Sequence, residues 1–412
     1  MADFKREKEV KQLISFLGNG KVNIVAGLRR SGKTYLLDTV FKNKITEEGS
    51  AFKEDDIGIL YLDSKDKDIR TEQQLDIVLN DFAKAGKKII IIDEVQLAVG
   101  FVFSLKAFVE QHKEITVFVT GSNSYILSSD IIRMFQDDCE SIVLNPLTYK
   151  EIVEEIPDYS FDSYITYGGL PIVVKQESEK KAHELDSIYK EIFEKDIEDR
   201  MNEDKYVYLS SNHVREIIHL IASSASPVSP SAITKRILSG LSRSGADELK
   251  VSKEVNDLFI LLENVFLLKQ MRVDDYNNRT PLENLGLNKK YYFSDNGLRY
   301  INCLDLAKSI GLCLENAVFV ELDMRGIKPT GKISIGDKNV ITGEIDFDYR
   351  VNEKEHLIQV AHTINQANYS REIGNLQDAS SKTHKSIIYL YNMTGKTETG
   401  IEYLPSSTFF LK

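Results

Sequence analysis

The chain has 412 residues, of which 42% are hydrophobic and 28% are charged, and its formal net charge is -11. This length predicts two or three domains, and the composition is typical of a globular protein and too apolar for a disordered one. The acidic balance excludes a protein that coats nucleic acid over its whole surface, although it permits a local basic face.

The cysteine pattern and the hydropathy predict the compartment. Cys139, Cys303 and Cys313 have no metal-type spacing and are odd in number, which is typical of reduced thiols. The sequence has neither an apolar run of roughly 18 residues, the length that crosses a bilayer, nor a signal-peptide core. We therefore expect a cytoplasmic protein with no membrane partner.

Strand-like and helix-like segments alternate over the first 145 residues. Apolar runs predict strands at 22–26, 59–62, 89–92, 115–120 and 141–144, and helical spacing predicts helices at 33–41 and 101–111. Strands separated by helices indicate βαβ units and a parallel sheet covered on both faces. The following segment, 146–200, is mostly helical and acidic, so that residues 1–205 are predicted to form one α/β domain with a helical extension.

The turn after the first predicted strand fits a phosphate-binding pattern. Residues 27–34 read Gly-Leu-Arg-Arg-Ser-Gly-Lys-Thr, which matches G-x-x-x-x-G-K-[ST] between an apolar strand and an amphipathic helix. Backbone N–H groups of such a loop surround phosphate, the lysine reaches the β and γ phosphates, and the threonine hydroxyl binds Mg²⁺. We predict that nucleotide is held by Gly27, Arg29, Arg30, Ser31, Gly32, Lys33, Thr34 and Tyr35.

Two later strands end in polar residues that complete such a site. The run of isoleucines at 89–92 ends in Asp93 and Glu94, and we predict that Asp93 supports Mg²⁺ while Glu94 activates the attacking water. An Asp-Glu pair favours an ATPase over a GTPase or a small-molecule kinase. The next strand ends in Thr-Gly-Ser-Asn, where Asn123 is predicted to sense the γ-phosphate; Ser122 is the alternative, and either residue could instead cap the following helix.

The central segment, 206–304, is predicted to be a winged helix-turn-helix. Its helices begin near Asn212, Ser229 and Ser252, and its strands cover 265–273 and 290–294. Between Ser229 and Tyr300 there are 11 Lys/Arg and 9 Asp/Glu, so this part is slightly basic within an acidic chain. The third helix presents Ser252, Lys253 and Asn256 on its polar face. The flanking basic residues are Lys235, Arg236, Arg243, Lys269, Arg272 and Arg279. Contact with double-stranded DNA and a role in protein-protein binding both stay open.

The last segment, 305–412, combines a helix at about 310–325 with strands near Ile333 and at 344–349, 357–360 and 387–391. With the preceding parts, it completes the predicted fold class: an α/β protein with a P-loop NTPase parallel sheet and helical extension, then a winged helix, then a third α/β domain.

The ordered motifs resemble those of a group of prokaryotic AAA+-type P-loop ATPases whose C-terminal half is an uncharacterised conserved domain. The resemblance runs from about Arg6 to Tyr391. Its motifs are GLRRSGKT at Gly27, IIIIDEVQ at Ile89, TGSNSYILS at Thr120, NPLTYKE at Asn145, YGGLP at Tyr167, KDIEDR at Lys195, KKYYFSDNGLR at Lys289, LEN at Leu314, GEIDF at Gly343, IQV at Ile358 and REIGNL at Arg371. It implies an ATPase core, a winged helix and a C-terminal fold similar to restriction endonucleases.

Two positions depart from the pattern of that group. Asp137 and Asp138 stand where its members usually carry a Gly-Arg pair, so an arginine that neutralises phosphate charge would have to come from elsewhere, such as Arg133 or Arg200. The nuclease-like part offers Glu315, and then Glu344 or Asp346, as carboxylates for Mg²⁺. Glu344 and Asp346 are two residues apart on one strand and therefore face the same side, where a metal could still bind. The Q/E-x-K motif of this part reads Gln-Val-Ala at 359–361, however, without the lysine. We predict a degenerate nuclease fold without nuclease activity.

The sequence therefore predicts an AAA+-type ATP hydrolase that uses ATP and Mg²⁺, and whose nucleotide state controls a winged-helix and nuclease-like half. The alternative is a DNA-binding or protein-interaction regulator for which ATP is a ligand with little hydrolysis. The expected partners are ATP and ADP, with double-stranded DNA, a second protein and another copy of the chain as further candidates.

Overall fold

A computed structural model describes residues 4–121, 134–135, 138–241, 247–275, 289–304, 306–335, 341–364, 368–377, 383–389, 395–397 and 399–411. The chain divides into two compact units, each described separately below. Unit 1 is 1–146 with 264–266, and unit 2 is 147–263 with 267–412. No described helix has the length and apolar character that a membrane span requires.

Unit 1 is built on a five-stranded parallel sheet in the order β2-β3-β4-β1-β5. The strands are β1 Val22–Ala26, β2 Ile57–Tyr61, β3 Ile89–Asp93, β4 Thr116–Gly121 and β5 Cys139–Val143. The helical segments are Glu7–Ser15, Lys33–Tyr35, the π-helical Leu36–Phe41, Lys42–Thr46, Glu72–Lys84 and Phe101–Gln111, with 3₁₀ turns at Glu54–Asp56 and Val95–Leu97. The predicted alternation of strands and helices is confirmed.

Both faces of this sheet are covered by helices. Successive residues of a strand point to opposite faces, so each strand contributes side chains to both cores. On β3, Ile90 and Ile92 belong to a core completed by the helices Glu72–Lys84 and Phe101–Gln111. Ile89 and Ile91 belong to the core on the other face, which the helix Glu7–Ser15 and the helical segment after β1 complete. Four consecutive buried isoleucines are thus explained by a strand that lies between two apolar layers.

Unit 2 contains an eight-stranded mixed sheet in the order β12-β13-β11-β10-β9-β8-β6-β7. The strands are β6 Leu268–Asp275, β7 Lys289–Phe293, β8 Thr330–Ile335, β9 Ile341–Val351, β10 Lys354–Ala361, β11 His384–Tyr389, β12 Gly395–Lys396 and β13 Glu402–Pro405. The helical segments are Tyr149–Glu155, Phe161–Tyr167, Pro171–Val174, Ser178–Ile192, Phe193–Glu198, Asp199–Glu203, Ser211–Ser223, Pro230–Leu241, Glu248–Asn264, Asn296–Asn302, Leu306–Met324, Ser370–Gly374, Asn375–Gln377 and Ser406–Leu411.

The hairpin β6–β7, predicted to be the wing, is part of this large sheet. Strand β6 pairs with β7 through residues 268–272 and then in parallel with β8 through residues 273–275. The three helices predicted to precede the hairpin are present, and Val255, Leu258 and Leu262 of the third helix are buried. One sheet thus draws strands from both sides of the predicted boundary at 304, and the winged helix and the nuclease-like domain stay predictions.

A buried aspartate joins two motifs that lie far apart in the sequence of unit 2. The Asp295 carboxylate accepts hydrogen bonds from four backbone N–H groups, those of Gly169, Leu170, Gly297 and Leu298. Gly169 is also required sterically, because a Cβ there would lie 2.0 Å from the Leu147 carbonyl oxygen. Asp295 therefore caps the helix Asn296–Asn302 and fixes the Gly-Gly turn.

Candidate functional site

The loop predicted to bind phosphate connects the carboxyl end of β1 with the helix that begins at Lys33. Gly27 has a φ of 148°, and a Cβ at this position would lie 2.3 Å from the carbonyl oxygen of Leu144. Gly32, which precedes the helix, has a φ of 97°. Gly27 needs to be glycine because its backbone passes close to the Leu144 carbonyl of the same chain. Gly32 needs to be glycine because its backbone is left-handed. The loop thus has the close-packed shape that its sequence pattern predicts.

Lys33 and Ser31 carry buried polar groups within this loop. The Lys33 side chain is buried, and its Nζ donates to the carbonyl oxygens of Gly27 at 3.0 Å and Leu28 at 3.1 Å. The Ser31 hydroxyl is fully buried and has no hydrogen-bond partner among the described residues. A buried hydroxyl without a partner is costly. A phosphate oxygen would supply that partner, so the loop fits the triphosphate of a nucleotide.

Thr34, Asp93 and Thr120 meet at the carboxyl ends of the neighbouring strands β3 and β4. Thr34 Oγ1 lies 2.9 and 3.0 Å from the two carboxylate oxygens of Asp93. Thr120 Oγ1 donates to Asp93 Oδ1 at 2.6 Å. The structure therefore brings together Thr34 and Asp93, the two residues predicted for Mg²⁺. A hydroxyl and a carboxylate are hard oxygen ligands of the kind that Mg²⁺ prefers.

The electrostatic environment of Asp93 depends on its burial. Burial raises the pKa of the Asp93 carboxyl above its ordinary value, and the nearby charges of Glu94 and Asp63 act in the same direction. The hydrogen bonds from Thr120 and Thr34 oppose this rise. A cation beside the carboxylate would favour its ionised form, so the residues present fit a magnesium ion.

Glu94 follows Asp93 in a left-handed backbone conformation, with a φ of 54°. Its N–H donates to Thr120 Oγ1 at 3.0 Å, and its half-buried carboxylate accepts a hydrogen bond from Gln96 Nε2. The Thr120 hydroxyl thus donates one hydrogen bond, to the Asp93 carboxylate, and accepts another, from the Glu94 N–H. A non-glycine residue in this backbone region is strained, and such strain clusters at functional sites.

Thr120 and Gln96 are site residues that the sequence analysis did not assign. Both lie inside motifs quoted above, TGSN and DEVQ. Thr120 is three residues from Asn123 and Gln96 is two residues from Glu94, and this closeness to assigned residues is the sequence signal that could have identified them. The sequence pattern marks strand ends as polar, but it does not say which hydroxyl or amide reaches the carboxylate.

The remaining predicted residues have different places in the structure. Arg29 is half-buried, Arg30 is exposed with a φ of 66°, and Tyr35 is 39% exposed on the helix that carries Thr34. Asn123, with its alternative Ser122, lies outside the described residues, as do Arg133 and Asp137. Asp138 accepts the Val22 N–H at 2.9 Å through its carbonyl oxygen, and Arg200 pairs with Glu203 at 2.7 Å.

The carboxylates of the part predicted to be nuclease-like also converge, in unit 2. Glu315 on the helix Leu306–Met324 and Glu344 on β9 each lie against the Lys290 ammonium, and Asp346 is buried beside them. Burial raises the pKa of Asp346 well above its ordinary value, the negative charge of Glu315 adds to the rise, and the Lys290 charge opposes it. Among the described residues, no group of three or more His, Cys, Asp or Glu side chains is arranged to hold a metal ion.

Comparison with known families identifies the type of the first unit. Residues 19–153 match the family model described as an AAA domain, and residues 158–308 match a model described as a domain of unknown function, DUF8612. The first unit has a P-loop NTPase fold. The predicted AAA+-type ATPase core is thereby supported, and the match to a domain of unknown function leaves the predictions for the second half as they were.

Two proteins are similar over most of the chain. An uncharacterized protein of Haemophilus influenzae is 28% identical over 380 residues, which cover 88% of this chain and 88% of that protein. An uncharacterized protein of Methanocaldococcus jannaschii is 25% identical over 381 residues, which cover 86% of this chain and 77% of that protein.

Two solved structures of Aeropyrum pernix proteins are also similar to this chain. The ORC2 protein in its ADPNP-ADP complexes has a TM-score of 0.38 and 12% identity, with 77% of this chain and 92% of that chain covered. The ORC1 protein in complex with DNA has a TM-score of 0.30 and 14% identity, with 72% and 91% covered.

Proposed function

We propose that unit 1 binds ATP with Mg²⁺ and hydrolyses it. The observation that carries this proposal is that two groups of polar residues lie on one P-loop fold. The loop holds Lys33 and the buried Ser31 hydroxyl, which has no hydrogen-bond partner within the described ranges, and Thr34 and Thr120 hold Asp93. Mg²⁺, when bound, would neutralise phosphate charge and orient the phosphates.

The residues of the chain have separate tasks in this proposal. The Lys33 ammonium, released from the carbonyl oxygens of Gly27 and Leu28, pairs with phosphate oxygens. The Thr34 hydroxyl and the Asp93 carboxylate are the residues that would hold a magnesium ion. Glu94 accepts a proton from water, and Thr120 fixes its backbone by accepting the Glu94 N–H.

Binding and hydrolysis are tested separately. In an equilibrium titration with a fluorescent ATP analogue, Lys33→Ala should lose at least about tenfold in affinity, because a charge-assisted contact to phosphate is removed. Lys44→Ala is the matched control, since Lys44 is an exposed lysine on the segment Lys42–Thr46, which continues the helical stretch that begins at Lys33. Equal affinity of wild type and Lys33→Ala would refute nucleotide binding by the loop.

Hydrolysis is tested with Glu94→Gln, which keeps the shape of the side chain and removes the base. We expect phosphate release to fall by roughly 100-fold or more, within the range of a lost general base, while ATP affinity is retained. Unchanged release in Glu94→Gln would assign the water-activating role to another residue. If wild type binds ATP and releases no phosphate, the alternative of ATP as a regulatory ligand is favoured.

We also propose that the nucleotide state of unit 1 controls unit 2, and that unit 2 contacts duplex DNA through exposed basic residues of two helices. Lys235, Arg236 and Lys253 are exposed. Two other predicted contacts are already neutralised within unit 2, because Lys269 pairs with Asp323 at 2.6 Å and Arg272 pairs with Asp274 at 2.8 Å.

A duplex-binding titration at several salt concentrations tests this second proposal. The triple variant K235A/R236A/K253A should lower both the affinity and its salt dependence, because each phosphate contact releases counterions. The double variant K180A/K190A removes exposed lysines from the helix Ser178–Ile192 and serves as the control. No binding at low salt, with or without ATP, would favour a protein partner.

A further inference from the structure

The carboxylates of the nuclease-like part surround a lysine that comes from a distant strand. We call Lys290, Glu315, Glu344 and Asp346 the carboxylate pocket. Lys290 Nζ lies 2.7 Å from Glu315 Oε1 and 2.9 Å from Glu344 Oε1, and only 6% of its side chain is exposed. The Tyr292 hydroxyl also donates to Glu315 Oε1, at 2.7 Å. A single ammonium therefore bridges two carboxylates that would otherwise repel each other.

Asp346, the remaining member of the pocket, is hydrogen-bonded within the chain, because its carboxylate accepts the Val360 N–H at 2.7 Å. Outside the pocket, Gln359, which precedes Val360 on β10, donates to Glu372 at 3.1 Å. The motif position that lacks its lysine, Ala361, is buried in an apolar cluster and is not a member of the pocket. The positive charge of the pocket thus comes from β7, not from the strand on which the sequence motif would place it.

A divalent metal and this ammonium compete for the same oxygens. Mg²⁺ requires carboxylate oxygens at about 2.0–2.1 Å in near-octahedral geometry, with water in the remaining positions. The Lys290 ammonium lies within 3 Å of an oxygen of both glutamates, so an ion between them would meet a like charge at close range. Burial reduces the screening of that repulsion by water.

We propose that the ammonium of Lys290 is the resident cation of the carboxylate pocket, in the place where a divalent metal would bind. Lys290 thereby joins β7 to the helix Leu306–Met324 and to β9, and it keeps the pocket closed to metal. The pocket is a metal-independent structural site, and removal of the lysine converts it into a metal site. This inference concerns unit 2 and does not depend on ATP binding by unit 1.

Metal titration of the full chain tests the proposal, with Mn²⁺ as the probe in isothermal calorimetry. Lys290→Ala should gain a Mn²⁺ site at least a hundredfold tighter than any wild-type binding in the pocket. This value is a lower bound, because the repulsion of two unit charges at 4 Å in partly screened protein corresponds to about a thousandfold. The gained site should disappear in Lys290→Ala/Glu315→Gln, which separates it from weak binding elsewhere. Lys290→Arg keeps the cation and should gain nothing.

Three outcomes would overturn the proposal. The first is a Mn²⁺ site in wild type that Glu315→Gln abolishes. The second is a folded Lys290→Ala that gains no site. The third is Mn²⁺-dependent nicking of plasmid DNA by wild type that Asp346→Asn abolishes, because Lys290 would then belong to an active nuclease. If Lys290→Ala does not fold, Lys290→Met takes its place in the titration, since it removes the charge, keeps the aliphatic stem and should gain the same site. If neither folds, absence of the wild-type site supports the proposal and its presence refutes it.

Discussion

The buried Asp295 should make the stability of unit 2 depend on pH in a measurable way. Burial raises the pKa of its carboxyl to about 6 from 3.8, against the opposing effect of four backbone N–H groups. Because the folded-state value is the higher one, protonation stabilises the folded chain. This stabilisation is complete below pH 3.8 and is lost as the pH rises through about 6. Between pH 5 and pH 8 the loss amounts to about 1.4 kcal/mol.

Asp295→Asn isolates this contribution, because asparagine does not titrate. We expect the free energy of unfolding of wild type, minus that of Asp295→Asn, to fall by about 1.4 kcal/mol from pH 5 to pH 8. Urea denaturation of the full chain, followed by far-UV circular dichroism, measures both proteins. Histidines and other titrating groups are common to both and cancel in the difference. Asp186→Asn, the same substitution at an exposed position of the same unit, is the matched control variant. A flat difference for Asp295→Asn itself would refute the reasoning.

Three further substitutions test single contacts. Thr120→Val removes the hydroxyl that donates to Asp93 and should lower the free energy of unfolding by about 1–3 kcal/mol, the cost of a buried polar group without its partner; a change below 0.5 kcal/mol in urea denaturation would contradict this. Gly169→Ala places a Cβ 2.0 Å from the Leu147 carbonyl oxygen and should lower the melting temperature or prevent folding, as monitored by thermal unfolding. An unchanged melting temperature would show that the turn can move. Gly27→Ala places a Cβ 2.3 Å from a carbonyl oxygen beside the loop, and it should weaken ATP-analogue binding in the titration described above more than Gly49→Ala, where a Cβ meets nothing within 4 Å.

Local patterns predicted unit 1 well because its elements are defined by short-range periodicity. The helix Phe101–Gln111 and the strand Val22–Ala26 have the predicted bounds, and the other predicted strands of the sheet differ by at most two residues at either end. An isoleucine run closed by two carboxylates leaves few alternatives to a buried parallel strand. The approach of Thr34 to Asp93 follows in turn, since the carboxyl ends of parallel strands share one edge of the sheet.

Long-range pairing limited the prediction for unit 2. A hairpin sequence shows that β6 and β7 pair with each other, but nothing in its period shows that β6 continues along β8. Local periodicity therefore predicts that β7 belongs to a wing, and it does not connect Lys290 with Glu315 and Glu344. The sequence motif would place the lysine at position 361, on β10. The positive charge is instead supplied by Lys290 of β7, about 70 positions earlier.

The four isoleucines of β3 have a consequence for how the phosphate site is kept in place. A shift of this strand by one residue would still present isoleucine to both apolar layers over most of its length, so apolar packing alone fixes its register poorly. The polar end of the strand breaks this degeneracy, since only one register places Asp93 between Thr34 and Thr120. The hydrogen bonds of the site thus fix the register of β3 in the sheet. Substitutions there should therefore affect correct strand pairing during folding as well as nucleotide binding and hydrolysis.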